Sequence, residues 1–260
     1  MEFHLNGFRP GDPEISEPAE HYNDPRSSGP LPAEVDVLII GCGPAGLTLA
    51  AQLAAFPEID TRIVEQKSGP LLLGQADGIA CRTVEMFHAF GFSERLLKEA
   101  YWVNETTFWK PNETQRSNII CSGRVQDVEG GLSEFPHVIL NQARVHDFYL
   151  QVMRNAPNRL EPDYARRVID LQIDPAGVST PTHPVMVRLE RNDPEHAGQV
   201  ETVKARYVVG CDGARSVAQM IDQLAVKYTA DRAAIGADVI AMLQDLSDKG
   251  FLTEAREKTS

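Results

Sequence analysis

Residues 35–46, Val-Asp-Val-Leu-Ile-Ile-Gly-Cys-Gly-Pro-Ala-Gly, decide the fold of this chain, together with the later run Arg62-Ile-Val-Glu65. Val35 to Ile40 is a short apolar run of the kind that forms a buried parallel strand. Gly41, Gly43 and Gly46 follow in G-x-G-x-x-G spacing. Ala45 to Ala55 is rich in Leu and Ala, good helix formers with small side chains for close packing. Gly41 permits the tight turn, Gly43 lets the backbone approach a pyrophosphate, and Gly46 lets the helix lie close on the strand. The helix start then turns unpaired N–H groups toward the phosphates. Glu65 comes about 20 residues beyond the glycines, where a carboxylate accepts hydrogen bonds from a ribose diol. Glycines alone also make ordinary turns. Strand, glycines, helix, second strand and acid in register predict a dinucleotide site. A carboxylate at Glu65 repels a 2′-phosphate, so the expected nucleotide is FAD or NAD rather than NADP.

The chain has 260 residues and a formal net charge of −12. That length holds one large domain or two small ones with a substantial core. The acidic balance excludes nonspecific nucleic-acid binding, which needs a basic face. No apolar run approaches the length of a membrane span, and Met1-Glu-Phe-His lacks the apolar core of a signal peptide, so a cytoplasmic protein is expected. Cys42, Cys81, Cys121 and Cys211 are widely spaced and form no Cys-x-x-Cys pair. They predict reduced, mostly buried thiols. The histidines have no metal-ligand spacing, and no metal is expected.

Outward from the fingerprint, residues 9–33 are rich in Pro, Gly, Ser and acids, and an irregular arm is predicted over 1–34. Thr83 to Phe90 carries Val84, Phe87 and Phe90 at helical spacing, with Gly91 as a C-terminal cap. Trp102, Phe108 and Trp109 lie among β-formers and are expected in strands, in the core rather than stacked on a cofactor. Phe135-Pro-His-Val-Ile-Leu predicts a strand that leads through Asn141-Gln-Ala-Arg into a helix with Val145, Phe148, Tyr149 and Val152 on its apolar face. Arg167 to Ile173 and Pro184 to Leu189 alternate as an antiparallel pair. Ala205 to Gly210 predicts a buried strand running into a turn at Asp212-Gly213.

Several ordered segments resemble the single-component FAD-dependent aromatic monooxygenases of the hydroxybenzoate and phenol type. They are Phe3-His-Leu-Asn-Gly-Phe-Arg-Pro-Gly, the Gly41–Gly46 fingerprint, Gly74-Gln-Ala-Asp-Gly-Ile-Ala-Cys-Arg82, Ile139-Leu-Asn-Gln-Ala-Arg-Val-His146 and Val209-Gly-Cys-Asp-Gly-Ala-Arg-Ser216. The resemblance implies an α/β, Rossmann-like FAD-binding domain over 35–215, with FAD as cofactor, NADPH as transient reductant, O₂ as oxidant and a small aromatic substrate. It assigns Gly41, Gly43, Pro44, Ala45 and Gly46 to the diphosphate turn, with Glu65 and Gln66 beside the adenosine ribose. Gln75, Arg82 and Gln142 would hold the diphosphate and ribityl chain, Asp212 and Gly213 would support the flavin, and Asp77 would be the catalytic carboxylate beside the substrate phenol. Each residue has a plainer alternative. Arg82 could close a helix at the surface, Asp77 and Asp212-Gly213 could be ordinary turn residues, and Gln142 could be a helix cap.

After Ser216 the letters change. Ser216 and Asp231 can each cap a helix, the first with Val217, Met220, Ile221 and Leu224 on one face, the second with Ile235, Val239, Leu243 and Leu246. This 216–260 segment is similar to the C-terminal helices of the small peptide chaperones of pyrroloquinoline quinone biosynthesis, which implies a precursor peptide as a possible partner. The organisation expected is therefore a fusion joined within Cys211–Ser216. It would unite a truncated FAD-binding domain, lacking its substrate domain and catalytically incomplete, with a two-helix tail.

Overall fold

The computed structural model describes residues 15–17, 19, 29–174 and 183–213. The expected helices of 216–260 and most of the N-terminal arm lie outside the described residues. Residues 1–209 form one compact unit and 210–260 another.

The fingerprint folds as its letters require. Strand β1 (Glu34–Ile40) runs into helix α1 (Pro44–Leu53), and β2 (Thr61–Val64) follows. β1 and β2 pair in parallel, Val37 with Thr61 through Ile40 with Val64. Every residue of β2 is buried, the condition under which a strand carries no polar alternation. β2 and β1 are followed in the same five-stranded sheet by β10 (Val200–Gly210), β9 (Val185–Arg191) and β8 (Arg166–Ile173). β8, β9 and β10 are antiparallel, so the sheet is mixed. The expected antiparallel pair is β8 with β9. Leu38, Val64, Val187, Leu189, Val203 and Ala205 meet in the core of this sheet. β10 begins earlier than the letters suggested and is buried only in part: Val203 and Ala205 are fully covered, whereas Tyr207 is 66% exposed.

Beyond β2 come a short strand β3 (Gly78–Ile79), helices α2 (Cys81–Ala89) and α3 (Ser93–Glu99), strands β4 (Tyr101–Val103), β5 (Glu105–Pro111), β6 (Ile119–Gln126) and β7 (His137–Ile139), and the long helix α4 (Gln142–Asn155). Gly91 takes φ +81° just past α2, the left-handed cap that glycine tolerates. Asn141 caps α4, its side-chain oxygen accepting the Ala143 N–H at 2.8 Å. Gln142 is therefore not the cap. Phe87, Phe92, Phe148 and Tyr149 form an aromatic cluster in which the Phe92 and Phe148 rings stack at 5.4 Å and Tyr149 meets Phe92 edge-on. The Tyr149 and Thr48 hydroxyls, 2.7 Å apart, bring α4 onto α1.

Two expectations are corrected. Trp102, Phe108 and Trp109 do lie in strands, but they are 50%, 53% and 63% exposed rather than core. β5 and β6 form a separate two-stranded sheet, and most residues of both strands are exposed. The cysteines are free, but only Cys42 is buried. Cys81 and Cys211 are half-buried and Cys121 is exposed.

Candidate functional site

The turn from β1 to α1 sets the site. Gly41 sits at φ +105°, a conformation that costs an L-residue strain and glycine nothing. Gly43 is the N-cap of α1 and Pro44 stands at the first helical position, where its missing N–H loses nothing. No side chain caps this helix start and no acidic residue lies in its first turn. The donors of Ala45 and Gly46 are thus left for an anion, and the helix dipole favours one there. Gly46 is buried, as close packing of helix on strand demands.

Glu65 follows directly on β2. One carboxylate oxygen accepts the Cys42 N–H at 2.9 Å and the other accepts the Lys67 N–H at 3.0 Å. The acid is thereby locked beside the glycine turn, and each oxygen keeps a lone pair. The Gln66 carbonyl accepts from Asn192 at 3.3 Å. Behind Glu65 lies a buried ion cluster. Arg62 donates to both oxygens of Asp163 at 2.9 and 2.8 Å, Arg166 stands 3.9 Å from the same carboxylate, and Glu201 accepts from Arg166 at 2.9 Å. The Asp163 main chain bonds to Ile63 and Glu65, which extends the sheet past β2. Burial pushes the Asp163 carboxyl up, and the Arg62 guanidinium opposes that shift. Burial, with Glu65 and Asp163 nearby, also pushes the Cys42 thiol well up. The cysteine inside the fingerprint therefore stays protonated and is no nucleophile.

The 74–82 motif approaches the same end of α4. The Gln142 side-chain oxygen accepts the Gln75 N–H at 2.9 Å, and a Cβ at Gly74 would overlap the Gln142 Cβ. Gly74 is thus fixed by close approach, not by turn geometry. Gly74→Ala is expected to push this segment off α4 and lower stability by about 1–3 kcal/mol, which a thermal melt would read. Asp77 is exposed, and its carbonyl accepts the Leu140 N–H at 2.8 Å as β3 joins β7. Arg82, the second residue of α2, is exposed. Asp212 is exposed and Gly213 has φ +105°; both belong to the second compact unit. The structure thus brings Gln75 together with Gln142, and Glu65 with the glycine turn.

One pair was invisible to sequence reasoning. Asp127 grips the Nδ1 of His137 and receives a hydrogen bond from Thr106 at 3.4 Å. The other ring nitrogen of His137 faces Gly78, where a Cβ would lie 3.4 Å from it. An oriented aspartate–histidine pair therefore stands beside Gly78, the first residue of β3. Asp127 and His137 share no motif, and only the pairing of β3 with β7 puts this pair there.

A sequence model of the FAD binding domain family matches residues 34–254. The chain belongs to this family. Its relatives include 3-hydroxybenzoate 4-monooxygenase of Comamonas testosteroni, 63% identical over 243 residues, which is 93% of this chain and 37% of that enzyme. A PqqA binding protein of Rhodopseudomonas palustris (strain HaA2) is 68% identical over 66 residues, a quarter of this chain and 65% of that protein. Among solved structures, the flavin-dependent monooxygenase PieE with FAD and substrate superposes at TM-score 0.58 with 23% identity, over 74% of this chain and 32% of that one. The p-nitrophenol 4-monooxygenase PnpA of Pseudomonas putida DLL-E4 gives TM-score 0.58 with 20% identity, over 72% and 43%. These two show the fold. The chain spans little more than a third of the length of the Comamonas relative, and the family match continues past the 215/216 boundary drawn from the sequence. Among the described residues of this FAD-binding-domain chain, no group of His, Cys, Asp and Glu could hold a metal, and no helix is long and apolar enough to cross a membrane.

Proposed function

We propose that this chain is the FAD-binding portion of a flavoprotein that hydroxylates a small aromatic compound at the expense of NADPH and O₂, and is catalytically incomplete by itself. The observation that carries this reading is Glu65, locked by the Cys42 and Lys67 amides beside an uncapped, acid-free helix start. A diphosphate fits the donors of Ala45 and Gly46, and a ribose diol fits the free lone pairs of Glu65. Gln66 flanks the ribose. Gln75, Arg82 and Gln142 hold the diphosphate and ribityl chain, with the Gln142 amide already oriented by Gln75. When bound, FAD supplies the redox chemistry that amino-acid side chains lack.

The chain's own part in the reaction is placement and proton handling. Asp77 accepts a hydrogen bond from the substrate phenol and makes the ring more electron-rich. His137, held in one orientation by Asp127, turns its other ring nitrogen toward Gly78, the residue after Asp77. Absorption spectroscopy of the purified protein with FAD titration tests the reading. Flavin bands near one equivalent with little coupled hydroxylation are expected of this chain, which spans 37% of the Comamonas enzyme; a colourless protein that takes up no FAD overturns it.

A second reading rests on the similarity to PqqA binding protein. Residues 216–260 would form a helical segment, joined to the FAD-binding domain 35–215, that captures a precursor peptide. Saturable micromolar binding of a labelled PqqA peptide supports this; no binding overturns it.

A further inference from the structure

Three buried side-chain atoms among the described residues have no hydrogen-bond partner: His146 Nε2, Asn158 Oδ1 and Tyr164 OH. Asn158 already donates to the Phe56 carbonyl at 2.9 Å. His146 is different. It is only 4% exposed and lies one turn along α4 from Gln142, on the same face. It lines a small cleft with Pro44, Leu47, Leu71, Gln142, Val145 and Tyr149. Pro44 opens the fingerprint helix, and Gln142 anchors the 74–75 segment. Glu65 and Lys67, at the end of β2, are within electrostatic reach. The imidazole therefore sits where the three segments of the candidate cradle converge. A buried polar atom without a partner costs about 1–3 kcal/mol, and a leucine would fill an all-apolar position without that penalty.

We propose that His146 is a further cofactor-binding residue, its Nε2 pairing with a sugar-type hydroxyl of the bound dinucleotide. This rests on the reading of the fingerprint as the FAD site. The chemistry follows from the walls. Pro44, Leu47, Leu71, Val145 and Tyr149 make an apolar lining that suits one uncharged hydroxyl and not a phosphate. Burial holds the ring below the ordinary histidine range, with Asp147 and Glu65 pulling its pKa up and Lys67 pulling it down. Helix α1 carries no ionisable side chain. The neutral ring is thus the form that meets the ligand. Because protonation removes the acceptor and adds a buried cation, FAD affinity is flat above the pKa of the free protein's His146 and weakens as pH falls through it.

The test titrates the wild-type chain, His146→Leu and His146→Gln with FAD, and separately with ADP, by fluorescence at pH 7.5 and then stepwise downward through the range in which the chain stays folded. A thermal melt of each apoprotein accompanies the titrations. His146→Leu is expected to weaken FAD binding about tenfold at pH 7.5 and to abolish the acid-side loss of affinity seen in wild type. His146→Gln should recover part of the affinity without the pH dependence, which a purely structural role would not produce. An equal loss with ADP assigns the hydroxyl to the ribose; a loss confined to FAD assigns it to the ribityl chain. Wild-type affinity and wild-type pH dependence in His146→Leu overturn the proposal and leave the fingerprint reading intact. If the leucine variant does not fold, the same outcome in His146→Gln overturns it. Failure of the wild-type chain itself to take up FAD overturns both.

Discussion

Glu65→Ala is expected to weaken FAD binding about 100-fold. The carboxylate offers two charge-assisted hydrogen bonds to a ribose diol, each about 1.5 kcal/mol or more, and about 3 kcal/mol corresponds to a factor near 100 in Kd. A second effect adds to the first. The same carboxylate accepts the Cys42 and Lys67 N–H groups, so its removal loosens the glycine turn. The Lys67 amide is exposed and regains water, whereas the part-buried Cys42 amide is left without this acceptor, so some stability is lost with it. Titration of the variant apoprotein with FAD, beside a thermal melt, reads the two effects apart. Wild-type affinity in Glu65→Ala would sink the assignment of the ribose to this residue.

Asp163→Asn is expected to cost about 3–5 kcal/mol of stability, the range for breaking a buried ion pair by removing one partner. Asp163 and Arg62 are 1% and 8% exposed at their side chains, and Arg166, 4% exposed, faces the same carboxylate. The asparagine keeps one acceptor and loses the charge that offsets two buried guanidinium groups. Denaturant unfolding should show a lower midpoint with an unchanged slope. Since this cluster backs the strand end that carries Glu65, the variant should also lose FAD affinity. An unfolding free energy within about 0.5 kcal/mol of wild type would mean that Glu201 alone neutralises the cluster.

Much of the candidate site was legible because its requirements are local. A glycine at φ +105°, a proline at the first helical position and an apolar run ahead of them each follow from backbone sterics within a few residues. The Asn141 cap and the Gly91 stop were legible for the same reason, although the cap falls to Asn141, leaving Gln142 free to reach Gln75. Burial was less legible. Tryptophan and phenylalanine at 102, 108 and 109 suggested core because large aromatics usually find cover, yet Trp102 stands on β4, an edge of the three-stranded sheet, and Phe108 and Trp109 on β5, which among the described residues pairs with β6 alone. Cys121 is exposed on that same two-stranded sheet.

By itself, then, the sequence determined the βαβ unit, its glycine turn, the acid at its second strand and the family to which the chain belongs. All of these are written in spacings shorter than one supersecondary unit. Only the tertiary structure decided what came from distant segments. Asp163 meets Arg62 across about a hundred residues, Gly74 is pressed against Gln142, and Asp127 orients His137 beside Gly78. His146 is enclosed without a partner. Such pairings depend on which strands and helices lie side by side, and no local propensity or periodicity encodes that choice.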